Sequence, residues 1–135
     1  MFDKMNALKA ARDEYVAKLK AEGETAVKEC LRGFFAAHPE VKALRWRQYT
    51  PYFNDGDECR FGIHEPEVRV GDGDWNDSWG LGYKNDNPPK QLQADLQEMY
   101  KALQGNRDAM EIAFGDHAQI TATAESVTVE EYEHD

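Results

Sequence analysis

The stretch Val41-Lys42-Ala43-Leu44-Arg45-Trp46-Arg47-Gln48-Tyr49 decides the fold. Side chains alternate across a strand, so Leu44, Trp46 and Gln48 share one face and Arg45, Arg47 and Tyr49 the other. Residues 59–63 alternate too, with Cys59, Phe61 and Ile63 against Arg60 and Gly62. Between the two runs, Asn54-Asp55-Gly56 is turn chemistry, because Asn and Gly tolerate positive φ. The pattern predicts a hairpin with a Pro51-containing connection. Val68 and Val70 extend or restart its second strand after Pro66.

On the N-terminal side, residues 3–37 read as helix. Leu8, Tyr15, Leu19, Val27, Cys30, Leu31 and Phe34 recur at helical spacing, with charged residues on the other face. Gly23 marks a place to kink or split it, at about 1 kcal/mol against Ala. His38-Pro39 closes it, since a residue before Pro avoids the α region. On the C-terminal side, residues 71–87 read as a long Gly- and Asp-rich loop, with a short strand at Trp79, Leu81 and Tyr83. A loop of that length is usually functional or mobile. Pro88-Pro89 opens a helix with the stripe Leu92, Leu96, Met99, Tyr100 and Leu103. A short helix follows to Phe114, then a second hairpin over residues 118–132 that turns at 124–126, and an acidic tail that frays from about residue 130. The expected fold class is α+β: an antiparallel β-sheet of about four strands, in two hairpins, packed against a long N-terminal helix and one or two further helices. The 135 residues suit a single domain over residues 1–135.

Composition narrows the function classes. No run of about 18 apolar residues exists, so no membrane span is expected. Met1-Phe2-Asp3-Lys4-Met5 lacks the apolar stretch of a secretory signal, which suggests a cytoplasmic protein. Cys30 and Cys59 form no CxxC pair and are expected as reduced, buried thiols; a disulfide is allowed by arithmetic alone. The net charge is −10. Residues 1–45 carry nine Lys/Arg against seven Asp/Glu, and the rest carry seven against nineteen. Such an acidic chain repels phosphate backbones, so direct nucleic-acid binding is disfavoured. It suits a protein partner with a basic surface, or mimicry of nucleic acid; solubility alone is the plain alternative.

Residue by residue, catalytic chemistry finds little support. Asp72-Gly73-Asp74-Trp75-Asn76-Asp77 begins like a calcium loop, but Asp77 stands where Gly is needed and Tyr83 where a bidentate Glu is needed. His38, His64, His117 and His134 are scattered, so no metal site is assigned. Cys59 falls on an apolar strand face and no nucleophile elbow is present, so no catalytic residue is assigned. Gly71-Asp72-Gly73 sets aspartates beside its glycines, which would repel a phosphate, so no cofactor is expected. What remains is aromatic density. Trp46 and Phe61 read as core. Tyr49, Tyr52, Trp75, Trp79 and Tyr83, with Asp55, Asp57 and Asp74 beside them, are the candidate binding residues.

The run Arg45-Trp46-Arg47-Gln48-Tyr49-Thr50-Pro51-Tyr52-Phe53-Asn54-Asp55-Gly56-Asp57-Glu58-Cys59-Arg60-Phe61 resembles a segment of small acidic proteins of bacteriophages and prophages, a group with no established activity. The resemblance implies a bacterial cytoplasmic setting, in which small acidic phage proteins often bind host proteins, defence systems included. Three readings follow. The first is a non-enzymatic binding protein that engages a host or phage protein through the 54–58 turn and the 71–83 loop, with inhibition by DNA mimicry as a special case. The second is a small enzyme or sequestering protein with a pocket of Tyr49, Tyr52, Trp75, Trp79, Tyr83 and Asp55. The third is an assembly component, such as a homodimer, that buries the stripe of the 89–103 helix against a second copy.

Overall fold

A computed structural model describes residues 1–53 and 55–133. The described residues form α1 (Asp3–Ala37), β1 (Val41–Tyr49), β2 (Gly62–Ile63), β3 (Glu67–Val70), β4 (Trp75–Asn76), α2 (Ser78–Tyr83), α3 (Lys90–Gly105), α4 (Arg107–Phe114), β5 (Ala118–Ala122) and β6 (Val127–Glu131). The class is α+β, and the sheet has six strands rather than four.

β1 is the centre of the sheet. Along the path β4-β3-β1-β5-β6 every neighbouring pair is antiparallel, and β2 also pairs with β1. Gln48 faces Ile63 and Arg45 faces Glu67, so β2 and β3 lie in one line along the same edge of β1. The buried Pro66, which has no N–H to give a ladder, separates them. The expected hairpin therefore exists, but only Gly62 and Ile63 of residues 59–63 pair, and β3 and β5 supply most of the bonding. The second hairpin is β5–β6. Glu130 and Glu131 belong to its second strand, so the acidic end is still paired where fraying was expected; His134 and Asp135 lie outside the described residues.

All four helices lie on one side of the sheet in the sense that matters: the core is built there. Leu44, Trp46, Val68, Ile120 and Ala122 point from the strands into it, and Leu92, Leu96, Met99 and Leu103 of α3 fill it from the other side. The α3 stripe is thus buried mainly within the chain. Trp46 is buried and Phe61 is partly buried against the core, as their alternation implied.

Four sequence expectations fail here. α1 is continuous through Gly23. Glycine serves contact instead, because a Cβ at Gly23 would stand 3.4 Å from Ala109 O and from Ala113 Cβ of α4. Leu8 and Tyr15 are not on a buried face; the buried part of α1 is Gly23, Val27, Leu31, Phe34 and Phe35. Both cysteines are free, but Cys30 is exposed and Cys59 half-buried. Lastly, residues 78–83 are a helix and not a strand. Asp77 caps it by accepting the Gly80 N–H at 2.7 Å, and Leu81 turns into the core.

Candidate functional site

Among the described residues, no helix covers the second face of the sheet. Arg45, Arg47 and Tyr49 of β1 point there, joined by Glu67 and Arg69 of β3, Trp75 of β4 and Gln119 of β5. Strand alternation places them together: each is the neighbour of a residue that faces the core.

These side chains form one continuous ladder. His64 stacks on Tyr49 with ring centroids 4.2 Å apart. Tyr49 meets Tyr132 at 5.7 Å. The Arg47 guanidinium lies 4.7 Å from the Tyr132 ring centre, and its Nε–H donates to Gln119 Oε1 at 2.9 Å. Arg45 Nε–H donates to Glu67 Oε1 at 3.0 Å, and Arg47 Nη1 is 4.0 Å from the same oxygen. Arg45 and Arg69 then both lie over the Trp75 ring, at 4.3 and 4.8 Å. Each cation–π contact contributes about 0.5–1 kcal/mol at exposed sites and fixes the guanidinium plane. Arg45 and Arg47 thus share one carboxylate. Arg69 has no ion pair among the described residues, and Arg45 spends only its Nε–H on Glu67. Of the five N–H donors that each guanidinium carries, Arg45 and Arg47 each spend the Nε–H, and the Nη donors remain for another molecule.

One end of the ladder is fixed by Asp116. Thr50 donates to it twice, from N–H at 2.7 Å and from its hydroxyl at 2.6 Å. Burial pushes the Asp116 carboxyl up, but the bonds from Thr50 and the His117 N–H outweigh it and hold the group below its usual range. His117 takes positive φ, which turns its ring onto Tyr52 at 5.1 Å. Tyr132 N–H bonds His117 O and ties β6 to this corner. Burial, and then the neighbouring Tyr132, push the Tyr49 hydroxyl up. Glu65 is likewise raised, by burial and by the Asp77 carboxylate that it faces.

The expected binding residues divide into groups. Tyr49 and Trp75 lie in the ladder and Tyr52 adjoins it. Asp55 and Asp57 are exposed in the β1–β2 connection, where Asp55 and Gly56 have positive φ as a turn requires; Asn54 lies outside the described residues. Asp74 is exposed at the β3–β4 turn, where Gly71 has positive φ and Gly73 N–H bonds Val70 O. Trp79 and Tyr83 are elsewhere, stacked on each other at 5.0 Å on the outer side of α2. None of the eight lines any of the four cavities described, which lie among the helices or between α1 and the β5–β6 turn. Arg69, Gln119 and Tyr132 escaped the sequence reading; the alternation of Arg45 with Arg47 was the one signal that pointed to this face.

Among the described residues, no three His, Cys, Asp or Glu side chains converge as metal ligands would, and no helix is long and apolar enough to cross a membrane. No family model, curated protein or solved structure matches the chain.

Proposed function

We propose that the chain is a non-enzymatic protein-binding module and that the uncovered sheet face is its contact surface. The observation that carries this reading is the ladder of stacked rings and arginines from His64 to Arg69. Tyr, Trp and Arg dominate the hot spots of protein interfaces, because they bury large areas at low entropic cost and still offer donors. The surface is prearranged, so little ordering is needed on binding. Its centre offers guanidinium donors to carbonyl or carboxylate groups. The partner patch that meets this cationic centre therefore presents carboxylates or carbonyls, while the basic surface that the net charge of −10 favours would lie around it, opposite the exposed Asp72 and Asp74. The resemblance of residues 45–61 to phage and prophage proteins favours a host or phage protein in a bacterial cell.

The test uses the immobilised chain in bacterial lysate, with Arg69→Glu and Trp75→Ala as disabled surfaces and Lys90→Glu, exposed at the start of α3, as control. A hot-spot truncation costs about 2 kcal/mol or more, roughly 30-fold in Kd. The expected result is a protein retained by wild type and Lys90→Glu and lost from the other two. Retention by all four, or by none, refutes the reading.

A further inference from the structure

α1 is much longer than its docking site. Its 35 residues extend about 52 Å at 1.5 Å per residue, yet none of residues 3–21 is buried. Met5, Leu8 and Tyr15 are 66, 65 and 63% exposed. In proteins most helical stability comes from packing an amphipathic face rather than from propensity. Two i,i+4 ion pairs, Lys9–Asp13 and Lys18–Glu22, are the support the described residues offer this segment.

The exposed apolar residues are ordered. Met5, Leu8, Arg12, Tyr15, Leu19, Glu22, Ala26 and Cys30 follow a three-four spacing, within an arc of about 100°. In its second half this stripe runs into an apolar groove of about 260 Å³, in which Leu19, Ala26 and Cys30 face Met99 and Leu103 of α3. The groove is apolar and open at the surface of α1, and the N-terminal end of the stripe carries large apolar side chains where the groove end carries Ala26 and Cys30.

We propose that a second copy covers this stripe, with the two α1 helices antiparallel about a twofold axis. The axis falls between Tyr15 and Leu19. Tyr15 then meets the second copy's Leu19, Leu8 meets Ala26 and Met5 meets Cys30, so that large side chains oppose small ones. The stripe's one cation, Arg12, meets its one anion, Glu22. Arg12 has no ion pair among the described residues, and Glu22 lines the groove. Every contact occurs twice, as an isologous interface requires. A parallel pair would instead set Arg12 against Arg12 and leave the grooves empty. The dimer uses the helical side of the molecule and leaves the uncovered sheet face of each copy free, so it stands or falls apart from the function proposed above.

Light scattering on the full chain at micromolar and higher concentration is expected to give twice 15.4 kDa. Leu8→Glu and Tyr15→Glu, both at exposed positions, are expected to give 15.4 kDa with the fold intact by circular dichroism. Arg12→Glu and Glu22→Arg each weaken the dimer, and the double exchange restores it. The register is read from Met5→Cys in a Cys59→Ser background under mild oxidation, where mass spectrometry is expected to find position 5 linked to Cys30 of the other copy. A wild-type monomer overturns the proposal and leaves the stripe to a partner of different sequence. A dimer indifferent to Leu8→Glu, a double exchange that rescues nothing, or a link between the two position-5 cysteines overturns it as well.

Discussion

Gln48 should be one of the most sensitive positions in the chain. It is fully buried in β1. Its Oε1 accepts the Trp46 indole N–H at 3.0 Å, and its Nε2 donates to Met110 O at 2.9 Å and Gly115 O at 2.8 Å. One amide thus satisfies the largest core side chain and ties the end of α4 to the central strand. Gln48→Leu keeps the approximate size and removes all three bonds. Met110 O still has the Phe114 N–H that helical geometry offers it. The buried indole N–H has no such substitute, and the half-buried Gly115 O loses its one side-chain donor. Each orphaned buried group costs about 1–3 kcal/mol, and leucine's extra apolar burial returns part of that. The expected loss is about 2–4 kcal/mol, from a total of about 5–15 for a domain of this kind. Urea unfolding followed by circular dichroism measures it, with an unchanged slope as the check on two-state behaviour. Gln48→Glu should lose more at neutral pH, since a carboxylate would then face two carbonyl oxygens. It should recover in part as the pH falls and the acid becomes a donor. A loss below about 0.5 kcal/mol for leucine, the range of ordinary surface changes, would refute the reasoning.

Two further expectations concern the helices. Asp95 Oδ2 accepts from the buried His38 Nε2 at 2.6 Å, and this bond, opposed by some burial and helped by Gln91, holds the Asp95 carboxyl below its usual range. A depressed carboxyl adds stability above its unfolded value and loses it as the pH falls through the folded one. Asp95→Asn should therefore be less stable than wild type at neutral pH, with a gap that closes on acidification; urea midpoints that keep the same gap in strong acid would contradict this. At Gly23, alanine fits the 3.4 Å clearances to α4 and should gain up to about 1 kcal/mol from helix propensity, whereas Gly23→Val should lose about 1–3 kcal/mol by forcing α1 and α4 apart, as thermal melts would show.

The sequence was most legible where the signal is local and periodic. α1, β1, α3, α4 and the β5–β6 hairpin could all be read from spacing, capping and turn residues. α2 could not. Trp79, Leu81 and Tyr83 mimic a strand in a short window, and the deciding fact is one side-chain bond from the Gly80 N–H to Asp77. Helical spacing also revealed that Leu8 and Tyr15 share a side of α1, but not whether anything of this chain lies against it. The candidate site shows the same limit on a larger scale. Trp75 and Tyr49 stand out as aromatics, yet Arg69, Gln119 and Tyr132 acquire meaning only once four strands bring them beside Arg45 and Arg47. No local pattern carries a register between β1 and β5.

The central place of β1 also bears on the order in which the molecule can assemble. The Arg45–Glu67 bond to β3 closes 22 positions of chain, while the Arg47–Gln119 bond to β5 closes 72. Loop-closure entropy makes the second about 1 kcal/mol dearer. Closure entropy alone favours early pairing of β1 with β3, and in a chain paired that far the middle strand of the finished sheet is an edge, with Leu44, Trp46 and an unbonded backbone on view. In that state the chain is most open to pairing with a copy of itself. The arginines at 45 and 47 stand on that edge, and charge on an exposed strand is a known guard against such pairing. The residues assigned to recognition in the finished protein would then have an earlier task, keeping nascent chains apart.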